Sequence, residues 1–404
     1  MQHSVDLLDL PFEQGGHLLL KHHLRKLPAG GELVVYGGAV ELPIHLRVWC
    51  RMQGHQWQPQ RKTRDNQTPQ VGSVIRGGPC ANRWKGAERT GAVDPRAEHA
   101  VAEHPPGKWG LAARGAQVEA GMPDFSFGLD QKMVVWTEEA PRFYAQAAAA
   151  QWDPETAIPW DSEFALPDEV EDAVVQIMTY LIENETVALM VPARFLSTLH
   201  PHFREIMQLL AIQAADEARH IEVFTRRASL KREVLGLSTV GGQMSLKTLL
   251  DEPDFALAFF LLSVLGEGTF LSLLWFIHSH APEPVTRKMT QLAAQDEARH
   301  VAFGMAHLSR HIQLDPGMIS RLANAVHMRH AALQHTAGLN EEVFDALVLL
   351  AAGCWEHKAL SKGYQAVMAL QEEMDTLRQR RLLKLGFSQE LAEELSALHT
   401  RNFM

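Results

Sequence analysis

The chain has 404 residues, a formal net charge of −10 and a pI near 6.1, long enough for two or three domains and a large core. The acidic balance disfavours a general nucleic-acid binder, which needs a basic face. No apolar run reaches the roughly 18 charge-free residues expected of a membrane span, and the opening MQHSVDLLDLPFEQGG lacks the basic-then-apolar pattern of a signal peptide. Cys50, Cys80 and Cys354 are widely spaced and odd in number, which points to a reducing, cytoplasmic setting without a disulfide framework. None belongs to a CxxC pair, so a zinc-thiolate site is not expected.

In chain order, HLLLKHHLRKL reads as a helix, Gly30–Gly31 as a turn, ELVVYGG as a strand and LPIHLRVWCRMQGH as a second helix. Residues 1–60 are therefore expected to form a small α/β domain. Residues 61–125 are rich in Gly, Pro, Arg and Gln and carry no sustained apolar periodicity. They read as a linker, with Cys80 far from any partner. From residue 126 to 404 apolar residues recur at spacings of three and four, and breakers are confined to short junctions. Long helices are predicted near 168–199, 202–231, 254–279, 284–312, 317–336 and 341–378.

The pentapeptide DEARH occurs at Asp216–His220 and again at Asp296–His300. On a helix, Glu217 and His220 project from one face, as do Glu297 and His300. A helical Glu-x-x-His pair is the metal-binding unit of carboxylate-bridged di-iron and di-manganese bundles, where two further helices each add one Glu. Carboxylates stabilise ferric iron and bridge two ions; imidazole suits ferrous iron. A solvated charged helix face would explain one copy of the motif. Two copies, each about 30 residues after a Glu on an apolar helix, favour a metal site.

In the second half the added glutamate is Glu267, the only acidic residue of LLSVLGEGTFLSLLWF. A buried charge there wants a partner. In the first half Glu183 and Glu185 both qualify. Glu185 is favoured because Leu181, Ile182, Ala188 and Leu189 give it an apolar helical face. Its distance to the turn near Pro201, about 15 residues, also matches the distance from that turn to Glu217; for Glu183 the legs differ by about two residues, or roughly 3 Å. Asp216 and Asp296 are expected to accept hydrogen bonds from the imidazole of the opposite DEARH helix. Arg219 and Arg299 would pair with these aspartates and offset the charge of the site. Phe259, Phe260, Phe270, Trp275 and Phe276 read first as core and second as pocket wall. Trp136, Trp152 and Trp160 read as part of a segment capping the bundle.

These paired motifs resemble the ferritin-like di-iron oxygenase and oxidase superfamily, which includes the ribonucleotide reductase small subunit, bacterial multicomponent monooxygenases and aryl-amine N-oxygenases. The resemblance covers roughly residues 130–312. It implies a mainly α fold, a ferritin-like four-helix bundle with extra C-terminal helices behind the small N-terminal α/β domain. It also implies that Glu185, Glu217, His220, Glu267, Glu297 and His300 ligate two iron ions, or a manganese–iron pair. The monooxygenases carry Thr where this chain has Leu271, and the N-oxygenases carry a third His where it has Ala293. His278, His280, His307 and His311 are the alternatives for an extra ligand. Tyr180 is the tyrosine nearest in sequence to the proposed ligands, where the reductase subunit has a radical tyrosine. The N-terminal LPAGGELVVYGGAVELPIHLRVWCRMQGHQW resembles sulfur carriers of the sulfurtransferase-accessory type. EQGGHLLLK lacks their Cys-Pro motif, so the fold is expected without the sulfur relay.

The leading expectation is a non-haem di-iron enzyme that activates O2 to oxidise a small organic substrate, N-oxygenation included, with an electron donor as partner and homodimerisation open. The alternative is a ferroxidase or peroxide-scavenging protein. Neither nucleic acid nor membrane is expected as a partner.

Overall fold

The computed structural model describes residues 3–60, 70–78, 84–334 and 341–399, which divide into two compact units. Cys80 lies outside the described residues.

The first unit takes in Met1–Thr90 and Ala116–Pro123. Its elements are β1 (His3–Asp6), α1 (Gly16–Arg25), β2 (Glu32–Tyr36), α2 (Leu42–Gln53), β3 (Gln56–Pro59) and β4 (Gln70–Ile75), with a ribbon of β5 (Glu88–Arg89) and β6 (Gln117–Val118). The main sheet runs β1-β2-β4-β3. β1 is parallel to β2, with His3 opposite Leu33, and the other pairs are antiparallel. Leu20 and Leu24 of α1, and Leu42, Leu46 and Cys50 of α2, repeat every four residues, so each helix buries one stripe against Leu33, Val35 and Val74. The α/β reading of this region is met, but its expected end at residue 60 falls inside the sheet. β4 comes from the stretch read as linker and sits between β2 and β3. QVGSVI is too short and too glycine-interrupted to stand out as a strand; only pairing to two neighbours makes it one.

The second unit takes in Gly91–Gly115 and Asp124–Met404. Its helices are α3 (Lys132–Val135), α4 (Ala140–Ala149), α5 (Asp168–Leu196), α6 (Arg204–Ala228), α7 (Val240–Leu250), α8 (Phe255–His280), α9 (Pro284–Leu314), α10 (Met318–Leu333), α11 (Glu341–Ala352), α12 (His357–Leu385) and α13 (Gln389–His399). Asp168, Glu169 and Glu171 in the first turn of α5 complement its dipole. Glu283 caps α9, accepting from the backbone N–H of Thr286 at 2.9 Å, with Pro284 at the first helical position. The Glu283 carboxylate also accepts from Arg227 Nε at 2.9 Å, and Arg227 reaches Glu171 through both terminal nitrogens at 2.6 and 3.0 Å. One buried guanidinium thereby ties α6 to the starts of α5 and α9.

Short connections make α5–α6 and α8–α9 adjacent antiparallel pairs, and these four helices form the central bundle. α11 packs on α5, and α12 on α8. The single helix expected over 341–378 is broken at Gly353, whose φ of 72° is a left-handed conformation that stops α11. α5 and α8 have the length and hydropathy of membrane spans, against the sequence-based expectation, but 67% and 89% of their most apolar windows are buried within the protein. They are core helices here.

The part of the expected linker from Gly91 to Gly115 belongs to this helical unit. Arg114 is buried and donates to both carboxylate oxygens of Glu205 on α6, at 2.5 and 2.7 Å, and to the His202 carbonyl at 3.0 Å. Burial opposes ionisation of Glu205, yet the guanidinium outweighs it and holds the carboxyl below its ordinary value. Replacing Arg114 with Ala leaves that buried carboxylate only the more exposed Arg204, which donates to it at 2.9 Å, and should destabilise the helical unit by about 1–3 kcal/mol. Denaturant unfolding followed by helical circular dichroism checks this; a loss below about 1 kcal/mol would return residues 91–115 to the status of linker.

Candidate metal centre

The bundle brings all six glutamate and histidine candidates together. Glu185 enters from α5, Glu217 and His220 from α6, Glu267 from α8, and Glu297 and His300 from α9; all six are buried. They form two groups of four, Glu185–Glu217–His220–Glu297 and Glu217–Glu267–Glu297–His300. Within each group one possible ligand atom per residue lies within 4.8 Å of the others. Glu217 and Glu297 belong to both groups. Glu183, one turn face away, is half-buried and belongs to neither.

Both imidazoles present Nδ1 to the carboxylates. His220 Nδ1 lies 3.1 Å from Glu217 and 3.5 Å from Glu185, and His300 Nδ1 lies 3.0 Å from Glu217. Their Nε2 atoms point the other way, each to the aspartate of the opposite helix: His220 to Asp296 at 3.1 Å and His300 to Asp216 at 3.3 Å. Arg219 donates to Asp216 and, at 3.0 Å, to Asp296, while Arg299 donates to Asp296. The two aspartates and two arginines thus form a crossed lattice behind the histidines.

Three neighbours escaped the sequence. Trp152 Nε1 donates to Asp296 at 2.8 Å and Gln151 Nε2 to Asp216 at 2.8 Å, so the loop after α4 covers the aspartate pair. Trp152 was expected only as a capping aromatic; its indole N–H and the Arg219 guanidinium 4.6 Å above its ring give it a polar role as well. Gln213, one turn before Glu217, donates to Glu267 at 2.9 Å. A further feature is a π-helical stretch, Phe260–Glu267, which ends on the candidate ligand of α8. Such widened turns are frequent at functional sites. α9 approaches this stretch closely enough that a Cβ on Gly304 would sit 2.6 Å from Ser263 Cβ. No residue pattern in LLSVLGEG marks a π-turn; the glycines on either side of Glu267 are the only local hint.

The electrostatics follow from burying four carboxylates in one core. Burial, with the charges of Glu217 and Glu297, pushes Glu185 well above the ordinary carboxyl range, and burial with Glu297 does the same to Glu267. Burial also disfavours a Glu217 carboxylate, but His300 and His220 overcome it and hold Glu217 below its ordinary value. Burial would lower the two histidines; Glu185 raises His220 and Glu217 raises His300 well above 6.5 instead. Without a metal, the cluster therefore balances its charge with protons. Even so, Glu185 Oε1, Glu267 Oε2 and Glu297 Oε2 are buried with no hydrogen-bond partner, and Glu217 Oε1 and His300 Nδ1, 3.0 Å apart, face each other without other partners. Four carboxylates carry the charge that two divalent cations neutralise, and the orphaned atoms are all of ligand type. The donor set is able to hold two metal ions.

The other ligand candidates lie elsewhere. His278 and His280 bond to the carbonyls of Arg287 and Phe276, His307 to that of Val134, and neither they nor His311 join either group. Ala293 is buried, so no third histidine arises at that turn, and Leu271 is half-buried. Tyr180 is buried five residues before Glu185. Phe259, Phe260 and Phe270 are core, as expected, and Trp275 is exposed.

No protein-family model and no curated protein sequence matches the chain. Among solved structures, a variant of an R2-like ligand-binding oxidase with an aerobically reconstituted Fe/Fe cofactor superposes with a TM-score of 0.51 at 15% identity, over 63% of this chain and 95% of that one. The helical unit has the ferritin-like fold. A second variant of that oxidase, with an anaerobically reconstituted Mn/Fe cofactor, is 17% identical over 64% of this chain and 94% of its own, at a TM-score of 0.46. The ferritin-like bundle and its extra C-terminal helices accord with the sequence reading.

The protonation pattern makes stability depend on pH. Metal-free, the folded chain holds protons on Glu185, Glu267, His220 and His300 to higher pH than the unfolded chain does, so its stability falls as pH rises above the ordinary glutamate range. Glu217 and Asp296 act oppositely, but only at and below that range. In a chelator, the melting temperature should fall between about pH 5 and about pH 8, and less steeply in a Glu185→Gln, Glu267→Gln variant. Equal slopes in the two proteins would contradict this charge pattern.

Proposed function

We propose that the ferritin-like unit is a non-haem di-iron enzyme that uses O2 to oxidise a small organic substrate. The observation that carries this reading is the pair of four-ligand groups sharing Glu217 and Glu297 in the core of the bundle, with their orphaned donor atoms. The R2-like ligand-binding oxidase with an Fe/Fe cofactor lends it support through the shared fold.

In this reading Glu185 and His220 would hold one ion and Glu267 and His300 the other, with Glu217 and Glu297, common to both groups, available to each. When bound, two such ions supply the electrons that reduce O2. The chain's own contribution is positional. Asp296 and Asp216 accept from Nε2–H of His220 and His300, which fixes the tautomer and leaves each Nδ1 lone pair facing the site. Gln213 orients Glu267. The apolar walls at Ala188, Leu249, Leu262 and Phe270 exclude water next to Glu185 and Glu267. A reductant is needed to recycle the metals. The free cysteines Cys50 and Cys354 support a reducing, cytoplasmic setting.

The N-terminal unit is proposed as a docking or regulatory module rather than a sulfur relay. Its α1 begins without a cysteine, and burial pushes the Cys50 thiol up to about 12, far from a reactive thiolate.

Anaerobic titration with ferrous iron should saturate at two ions per chain. His220→Ala, His300→Ala and Glu185→Ala should each lose the two-metal complex, while Glu183→Ala keeps it. Full occupancy in a His220→Ala, His300→Ala variant would refute the assignment. Exposing the loaded protein to O2 in the presence of candidate organic compounds then separates the functions: an oxidised organic product supports the oxygenase or oxidase, and catalytic accumulation of bulk ferric iron would favour a ferroxidase. Asp216→Asn and Asp296→Asn should weaken metal affinity by about 10–100-fold, measured by competition with a chromogenic chelator. Unchanged affinity in both would reduce the aspartate lattice to packing.

A further inference from the structure

Beside the metal cluster lies a small cavity lined by Asn184, Ala188, Leu249, Leu262 and Phe270, with Glu185, Glu267 and Glu297 at one side. Its void of about 20 Å³ has room for little more than a water molecule, so a larger occupant requires apolar side chains such as Leu249 and Leu262 to move. One helical turn from two of its wall residues sits a polar cluster that the proposed oxidation does not use. Ser245 precedes Leu249 by four residues on α7, and Tyr180 precedes Asn184 by four on α5. Between them lies Arg329 of α10, only 5% exposed, whose Nη2 donates to Ser245 Oγ at 2.8 Å.

This guanidinium lacks what Arg227 and Arg114 have; among the described residues the likewise buried Arg378 also meets no carboxylate, but both its terminal nitrogens donate, to Ser396 and to Thr269. Arg227 and Arg114 each meet carboxylates. Arg329 meets none among the described residues, and its Nε and Nη1 have no hydrogen-bond partner; the buried Tyr180 hydroxyl has none either. Burial drags the Arg329 pKa down to about 10, with Tyr180 as the only opposing group. A buried cation with free donors, beside a free hydroxyl, is costly unless an anion completes it. Tyr180 stands five residues from Glu185, or about 7.5 Å along the helix. An anion held at Arg329 would therefore place the rest of a small molecule against the cavity wall, with its far end toward the metal cluster.

We propose that Arg329, Tyr180 and Ser245 form the anchor for the carboxylate of a small apolar acid, and that the substrate oxidised at the ferritin-like site belongs to this class. The substrate assignment rests on the di-iron reading above; the anchor itself does not. A carboxylate suits the donors left open, since its two oxygens can accept from the guanidinium and the tyrosine hydroxyl together.

The test uses the full-length protein, both metal-free and anaerobically loaded with ferrous iron, titrated with benzoate, with benzamide as the uncharged control and inorganic phosphate as the competing anion. Benzoate should bind both forms and raise their melting temperature, and benzamide should not. Arg329→Met should weaken benzoate binding at least tenfold in both forms. The same variant, free of ligand, should be as stable as the parent or more so, because it removes an uncompensated buried charge. Arg329→Lys, which keeps the charge, should retain part of the binding. The proposal is overturned if wild type ignores benzoate, if phosphate binds and benzoate does not, or if Arg329→Met binds benzoate as tightly as the parent. O2 uptake by the ferrous-loaded protein without benzoate is read separately. Its absence would refute the oxidase reading and leave the anchor result standing.

Discussion

The helical unit is organised around one costly constraint: four carboxylates are buried together in an apolar bundle core. Left ionised and alone they would repel one another and forfeit hydration. Everything near them answers that cost. The two imidazoles sit between the carboxylates, and the two aspartates behind them hold each ring from the opposite helix. The arginines neutralise the aspartates in turn, and Trp152 and Gln151 close the assembly on the α4 side. Glu185 Oε1, Glu267 Oε2 and Glu297 Oε2 remain unpartnered within the two groups, where two dications would complete the balance. A cluster with so many donors committed outward and these acceptors left unpartnered is better suited to holding cations than to packing for its own sake.

The bundle has to deliver these groups to one level, and this was legible in the chain because helices have a fixed rise. Two DEARH motifs, each about 30 residues after a helix-borne glutamate, require two antiparallel hairpins of matched legs. The choice of Glu185 over Glu183 followed from the apolar neighbours at three and four, and the structure buries Glu185 while leaving Glu183 half-buried at the rim. The crossed aspartates were also legible, since a residue beside a ligand on one helix faces the partner helix.

What escaped the sequence depends on contacts that no local pattern encodes. β4 is a strand only because β2 and β3 flank it. Arg114 looked like one of several arginines in a Gly- and Pro-rich stretch; its partner, Glu205, lies 91 residues away. Gln213 and Trp152 are ordinary residues until the fold places them 2.9 and 2.8 Å from a candidate ligand and its supporting aspartate. α7 begins in a Gly-rich run that reads as a junction, yet Thr239 caps it and its Ser245 and Leu249 reach the interior. The π-helical turn before Glu267 widens α8 beside the candidate centre, a local change of pitch that apolar periodicity cannot distinguish from regular helix.

The central claim is that this core holds two metal ions with Glu217 and Glu297 available to each. X-ray absorption of the iron-loaded protein tests it most directly. The account predicts oxygen and nitrogen ligation together with iron–iron scattering at about 3.5–4 Å, the usual spacing of two-metal sites. That scattering should be absent in Glu217→Ala. Iron with no second iron in its scattering shell at full loading, or an iron pair unaffected by the loss of Glu217, would contradict the account.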